Sequence, residues 1–292
     1  MAYKKAYPST LSLSLDPKGD TLNVQFSEKT KYCPDLWSIK YLFDKGRGNA
    51  LAKVCINGAI LPTMALRMYY LKYLFPDVEF HDAKDDKYFT EADEIIRNVE
   101  TKYITYKSND HPVEDRGTKE KLESQIEKEL ANNLSKYISD FSTGTPVKRQ
   151  FPANVFENTI SKESRVTDKL WIDMVSVNNS QELSPIELKV GGNIPLDIFA
   201  QGLDYGIYCH LFRQHIMEQW FPEHAGTKQD KVTIYYVGEN FHPALIGRGG
   251  EKGINSLIRK NKLFNIVFVK ISVDKKGHRI TSSNAIFDTR KQ

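Results

Sequence analysis

Apolar and polar side chains alternate with a period of two at the start of the chain. In "TLSLSLDPKGDTLNVQF", Leu11, Leu13 and Leu15 lie before a Pro-Lys-Gly-Asp turn and Leu22, Val24 and Phe26 after it, which predicts a β-hairpin. The period then changes. Residues 36 to 45 and 50 to 75 are aromatic and leucine-rich at helical spacing, with Gly58 and Pro62 dividing the second stretch into two helices or one kinked helix. Tyr69, Tyr70 and Tyr73 fall there, and packing against a neighbouring element accounts for them better than base stacking. The acidic run "DAKDDKYFTEADE" reads as a solvated loop leading into a helix.

Around residues 106 to 119, "YKSNDHPVEDRGTK", the apolar pattern lapses into charged and turn-forming residues, and a domain boundary is expected there. This divides the chain into an N-terminal α+β region, 1–110, and a second domain, 111–292. The second part opens with "KEKLESQIEKELANNLSKYISDF", in which Leu122, Ile126, Leu130, Leu134, Tyr137 and Phe141 share one face of a long amphipathic helix that "STGTP" stops. Three strand-like runs follow, "VKRQFPANVFENTI", "KLWIDMVSV" and "LSPIELKV". Next come a helix, "PLDIFAQGLDYGIYCHLFRQHIMEQWF", and a strand, "KVTIYYVGE". "GINSLIRKN" predicts a short helix and "FNIVFVKISV" a further strand, so the C-terminal tail can extend the sheet. The expected fold class is α/β, with a mixed central sheet flanked by helices.

Composition narrows the function classes only slightly. Apolar residues make up 40% of the 292 positions and charged residues 27%, as in globular rather than disordered chains. No run of about 18 uncharged apolar residues occurs, and the N-terminus alternates Leu with Ser and Thr where a signal peptide needs a continuous apolar stretch, so a cytoplasmic protein is expected. Cys33, Cys55 and Cys209 are odd in number and scattered, which predicts reduced thiols rather than a disulfide framework or a CxxC metal knuckle. A net charge of +4 permits a nucleic-acid partner without requiring one.

Chemistry enters with "SPIELKVGG". Strand alternation puts Ile186, Leu188 and Val190 on one face and Glu187 and Lys189 on the other, and "WIDMV" likewise sets Asp173 opposite Ile172 and Met174. Across a hairpin of these two strands, Asp173 and Glu187 converge. Two close carboxylates repel unless a cation neutralises them, and hard oxygen donors suit Mg²⁺ or Mn²⁺. Such a metal with a lysine beside it is equipment for phosphodiester hydrolysis. The competing reading of Glu187 and Lys189 is a surface ion pair on a half-exposed strand.

These residues, in this order of elements, resemble the PD-(D/E)XK nuclease superfamily, over about residues 118 to 240. Its core of a helix, three strands, a helix and a strand implies a restriction-endonuclease-like fold. The resemblance implies that Asp173 and Glu187 bind Mg²⁺, with Mn²⁺ able to substitute. The carbonyl of Leu188 would complete the shell, and Lys189 would serve the attacking water or the scissile phosphate. "QGLDY" is similar to the QxxxY element of RecB-like members, which implies a place beside the site for Gln201 and a supporting or DNA-binding role for Tyr205. The family's first helix often supplies a glutamate; Glu123, on the Ile126 and Leu130 ridge, is chosen over Glu127 and Glu120. The proline of the signature is absent, Ile172 preceding Asp173, and Asp168 is the alternative aspartate.

The resemblance implies a magnesium-dependent deoxyribonuclease, with RNA as an alternative substrate, endo- and exonucleolytic cleavage both open, and a homodimer compatible with cutting a duplex. A catalytically silent nucleic-acid-binding or assembly module of the same fold, and an unrelated α/β interaction protein, are the alternatives. Arg165, in "SRVTDK", and Arg248 and Lys252, in "GRGGEKG", are candidate phosphate contacts; the second segment lacks the spacing of a Walker A loop. Arg259, Lys260 and Lys262 form a basic cluster that suits a nucleic-acid backbone or solvent equally. Cys209, His210 and His215 form no convincing triad.

Overall fold

The structure is a computed structural model and describes residues 11–16, 20–26, 36, 53–57, 62–82, 87–108, 122–167, 170–191, 196–227, 229–247 and 253–291. It is an α/β protein with mixed sheets. The chain divides into two compact units, Met1–Ile95 with Pro243–Lys262, and Ile96–His242 with Leu263–Gln292. Residues 109–121, most of the expected boundary stretch, lie outside the described residues, as do those after Leu36 in the expected helix at 36 to 45.

The first unit contains the hairpin. Strands β1 (Leu11–Leu15) and β2 (Thr21–Phe26) pair antiparallel with Leu13 opposite Val24, and Leu22, Val24 and Phe26 are buried. Lys53–Asn57 is not helical but forms β3, parallel to β2, with Val54 and Ile56 buried. The period-two alternation of those β-branched residues, read within a longer leucine-rich stretch as helical, is satisfied by strand pairing. Helix α1 (Pro62–Leu74) starts at Pro62, whose missing N–H and fixed φ suit a first helical position, and β4 (Glu79–Asp82) returns parallel to β3. Tyr69, Tyr70 and Tyr73 cluster on α1 at centroid distances of 5.4 to 6.2 Å, with Tyr70 buried and Tyr73 exposed. Helix α2 (Lys87–Arg97) begins inside the acidic run.

In the second unit, the helix expected over 119–141 is two helices, α3 (Leu122–Asn132) and α4 (Leu134–Tyr137), broken at Asn133. The break leaves the predicted face intact: Ile126, Leu130, Leu134, Tyr137 and Phe141 pack in one core with Met174, Ile186, Leu188, Tyr235 and Val237 of the sheet. After a two-stranded ladder of β5 (Tyr103–Ile104) with β7 (Phe156–Glu157), the main sheet has the order β12-β11-β10-β9-β8-β6. These strands are β6 (Val147–Pro152), β8 (Trp171–Val177), β9 (Leu183–Lys189), β10 (Val232–Gly238), β11 (Phe264–Asp274) and β12 (Arg279–Asp288). Strands β6, β8 and β9 pair antiparallel, β9, β10 and β11 parallel, and β12 antiparallel to β11. The predicted extension of the sheet is thus present, β12 being a second strand of it.

Helix α5 (Asp197–Leu211) crosses from β9 to β10, and α6 (Arg213–Trp220) continues it past a break at Phe212. It covers the sheet face opposite α3. Phe199, Tyr236 and Phe268 stack there at centroid distances of 5.3 and 5.0 Å. Gly202 and Gly206 allow this approach, since a Cβ at Gly202 would lie 2.2 Å from the Tyr236 ring and one at Gly206 2.3 Å from the Ile234 side chain.

Gly202→Ala is therefore expected to destabilise the fold. Intrinsic helix preference favours Ala by about 1 kcal/mol, but the Tyr236 ring is stacked on two neighbours and its hydroxyl donates to the Phe199 carbonyl at 2.9 Å, so it cannot swing aside. A net loss of about 2 kcal/mol in urea denaturation is expected from overpacking; unchanged or raised stability would show that helix and sheet have room to spare.

Candidate active site

The ladder between β8 and β9 runs from Val177 opposite Leu183 to Met174 opposite Ile186 and stops there. The next two residues in register are Asp173 and Glu187. Continued pairing would set two carboxylates directly across from each other, which is unfavourable. The Leu188 amide instead donates to Asp173 Oδ2 at 2.8 Å, so a side chain takes the place of a backbone acceptor where the strands part.

Glu187 is the more constrained of the pair. It lies on a central strand, level with Tyr236 of β10, and is 1% exposed. Lys189 Nζ is 2.8 Å from Glu187 Oε1 and 3.7 Å from Glu123 Oε1 of α3. Glu187 Oε2 is buried and receives no hydrogen bond from a nitrogen or hydroxyl donor among the described residues, while the Asp173 carboxyl is close enough to Glu187 for the two to share a proton. Burial raises the Glu187 carboxyl well above the usual carboxylate range, the nearby Asp173 charge raises it further, and Lys189 opposes both. Burial raises Asp173 too, against the lowering effect of Lys189 and of the Leu188 amide. Burial disfavours the Lys189 ammonium, but Glu187 and Asp173 outweigh it and the net shift is upward, so this lysine keeps its proton at neutral pH.

The end of β9 is pinned by carboxylates from three elements. Besides Leu188 on Asp173, the Val190 amide donates to Glu123 Oε2 at 3.1 Å and the Gly191 amide to Glu239 Oε2, just past β10, at 2.7 Å. Gly191 has φ of +141°, a conformation that favours glycine. Glu123, the predicted helix glutamate, is thus at the site, where it meets Lys189 and the β9 backbone.

The structure adds Glu127, which the sequence reading ranked below Glu123, and neighbours that the sequence did not mark. Glu127, one turn after Glu123, is buried and accepts from Arg149 Nε at 3.0 Å and Gln150 Nε2 at 2.9 Å, both on β6. Burial, then the charge of Asp173, push its carboxyl up to about 7 against the lowering influence of Arg149 and Gln150. Its spacing of four from Glu123 is the one signal for it in the sequence; nothing marks Arg149, Gln150 or Glu239.

Of the remaining predicted residues, Tyr205 is buried on α5 and its hydroxyl, raised first by burial, also feels Glu187 and Asp173. Gln201 is exposed one turn earlier and has no hydrogen-bond partner among the described residues. Arg165 bridges Phe156 through its backbone beside the β5–β7 ladder, away from the parting of β8 and β9. Asp168, Arg248 and Lys252 lie outside the described residues. Cys209 is buried, with a thiol raised by burial, and His215 meets the Tyr106 carbonyl at 3.2 Å, so the two are separately engaged.

Among the described residues, no group of three or more His, Cys, Asp or Glu side chains is arranged to enclose a metal ion. The fit for a divalent cation rests on Asp173 and Glu187 as adjacent hard-oxygen donors and on the Glu187 Oε2 that no nitrogen or hydroxyl donor reaches among the described residues. No helix among the described residues is long and apolar enough to cross a membrane. No family model, curated protein or solved structure matches the chain.

Lys189→Met leaves the Glu187 charge buried without its cation and is expected to cost roughly 3 kcal/mol of stability. The double variant Glu187→Gln with Lys189→Met should recover most of that loss in urea denaturation; equal losses in single and double variants would mean that the pair does not neutralise itself. Glu127 makes a pH prediction. Its folded carboxyl titrates near 7 and its ordinary value is 4.5, so the fold holds the proton more tightly and Glu127 subtracts stability as pH rises through that window. Relative to wild type, Glu127→Gln should gain on the order of 3 kcal/mol between those two pH values. A difference that stays flat with pH would show that Glu127 titrates normally.

Proposed function

We propose that the protein is a metal-dependent nuclease of the PD-(D/E)XK kind that hydrolyses DNA phosphodiester bonds. The observation that carries this reading is the parting of β8 and β9 at Asp173 and Glu187, with Lys189 on one Glu187 oxygen and the other receiving no nitrogen or hydroxyl donor among the described residues. The order α3, β6, β8, β9, α5, β10 supports it, since it follows the restriction-endonuclease-like core.

Asp173 and Glu187 would hold Mg²⁺, or Mn²⁺ in its place, with the Leu188 carbonyl and Glu123 as further oxygens. A bound divalent ion supplies Lewis acidity toward a phosphate oxygen and lowers the pKa of a bound water. The raised carboxyl values of Asp173 and Glu187 are the direction that a cation reverses. Lys189, held protonated by its neighbours, does not serve as a base. It donates to the attacking water or to an anionic phosphate oxygen and stabilises the charge that grows there. Glu123 holds the Val190 amide and lies against Lys189, so it fixes where that ammonium points. Tyr205, buried on α5, is near enough to feel the charge of Glu187, and Gln201, exposed one turn earlier on the same helix, would be open to substrate.

The test is incubation of the purified protein with single- and double-stranded DNA and with RNA, in Mg²⁺, Mn²⁺ or EDTA, beside Asp173→Ala and Lys189→Ala. Metal-dependent cleavage of DNA that both substitutions reduce by about a hundredfold or more is the expected result, as for loss of a group that stabilises developing charge. Nucleic-acid binding without cleavage under any of these conditions would replace the nuclease by a silent binding module of the same fold.

A further inference from the structure

We propose that Arg149 is a phosphate clamp for the nucleic-acid backbone beside the Asp173–Lys189 group, held in position by Glu127 and Gln150; this rests on the nucleic-acid part of the reading above. Arg149 lies on the edge strand β6 with its Cα opposite Met174, and so on the α3 face of the sheet; its link to the Asp173–Lys189 group runs through α3, where its partner Glu127 stands one turn from Glu123, the second carboxylate on Lys189. Its guanidinium is anchored by one nitrogen, Nε donating to Glu127 Oε1 at 3.0 Å. An arginine that served only to neutralise a buried acid would take both carboxylate oxygens through Nε and a terminal nitrogen. Here that geometry is blocked, because the Gln150 amide donates to the second oxygen, Glu127 Oε2, at 2.9 Å.

Gln150 reaches it from a backbone with φ of +48°, in the left-handed region that non-glycine residues seldom adopt. It stands between the pairs Arg149–Met174 and Phe151–Ile172, level with Asp173. The guanidinium is thus tethered while its terminal nitrogens take no protein partner among the described residues, and its side chain is 22% exposed. A planar fork whose terminal N–H groups are unengaged among the described residues, tethered to a buried carboxylate one helical turn from the Glu123 that meets Lys189, suits a phosphodiester oxygen pair. Glu127 is a positioning residue in this arrangement. The upward shift of its carboxyl by burial and by Asp173 agrees with its lying close to the site rather than on a separate surface.

The experiment measures affinity for a fluorescent DNA duplex and single strand in EDTA at a series of KCl concentrations, together with thermal melting, for wild type, Arg149→Gln, Arg149→Lys and Glu127→Gln. Loss of one phosphate contact should weaken binding of Arg149→Gln uniformly across sequences and lower the slope of log affinity against log salt by about one. Arg149→Lys should keep the slope and lose several-fold in affinity, because the charge remains and the fork is gone. Glu127→Gln should behave as Arg149→Lys does, since it loosens the anchor without removing the charge. Affinity and slope unchanged in a folded Arg149→Gln would overturn the clamp. Should that variant fail to melt cooperatively, Arg149→Lys decides: undiminished affinity overturns the proposal and a several-fold loss supports it. Wild-type protein that binds but never cleaves would remove the nuclease reading and leave the clamp standing on the salt slope, whereas wild type that binds neither DNA nor RNA overturns the clamp.

Discussion

A carboxylate buried on a central strand is the constraint around which this end of the sheet is organised. Glu187 is almost fully excluded from solvent between β8 and β10, and a charge there is costly unless compensated. The compensation comes from Lys189 two residues on, which stays on the same face because a strand alternates. Asp173 cannot share the ladder with Glu187, so β8 and β9 part, and the amides freed at the end of β9 are taken by Asp173, Glu123 and Glu239. The opening between the strands and the carboxylates that hold the end of β9 thus surround that one buried charge, while α3 itself is seated by its apolar face.

A second buried glutamate shows what a structural solution looks like. At the other end of β9, Glu182 receives the Asn178 amide at 3.1 Å, the Asn265 amide at 2.9 Å and the Thr233 hydroxyl, with no cation in the group. Its oxygens are satisfied by neutral donors from the turn before β9 and from β10 and β11, which ties together the starts of three parallel strands. Glu187 differs in both respects: a cation holds one oxygen, and the other receives no nitrogen or hydroxyl donor among the described residues. The contrast between the two ends of β9 is one between an acid satisfied by neutral donors and one compensated by a cation.

Much of the second unit was legible because its two periods are distinct. The face of α3 and α4 carried by Ile126, Leu130, Leu134, Tyr137 and Phe141 is the face that packs, and "KLWIDMVSV", "LSPIELKV" and "KVTIYYVGE" are strands. Where a stretch mixed the two periods, pattern alone failed: Lys53–Asn57 pairs as β3 although it continues into leucine-rich helical sequence. The breaks at Asn133 and Phe212 left no mark in the apolar pattern, because each helix resumes with its apolar stripe still facing the sheet.

By itself the amino-acid sequence determined which residues share a face: Glu187 with Lys189 opposite Ile186 and Leu188, and Asp173 opposite Ile172 and Met174. That follows from local geometry, since a strand's alternation needs no knowledge of its neighbours. Only the tertiary structure decided that the polar face of β9 is buried rather than washed by solvent, because burial depends on α5 lying across it, and that approach depends on Gly202 and Gly206 meeting Tyr236 and Ile234. Only it, likewise, brought Glu127 to Arg149 and Gln150, which lie 22 and 23 residues further along the chain. Contacts of that range are set by how a helix settles on a sheet, and the order of side chains along either element does not encode it.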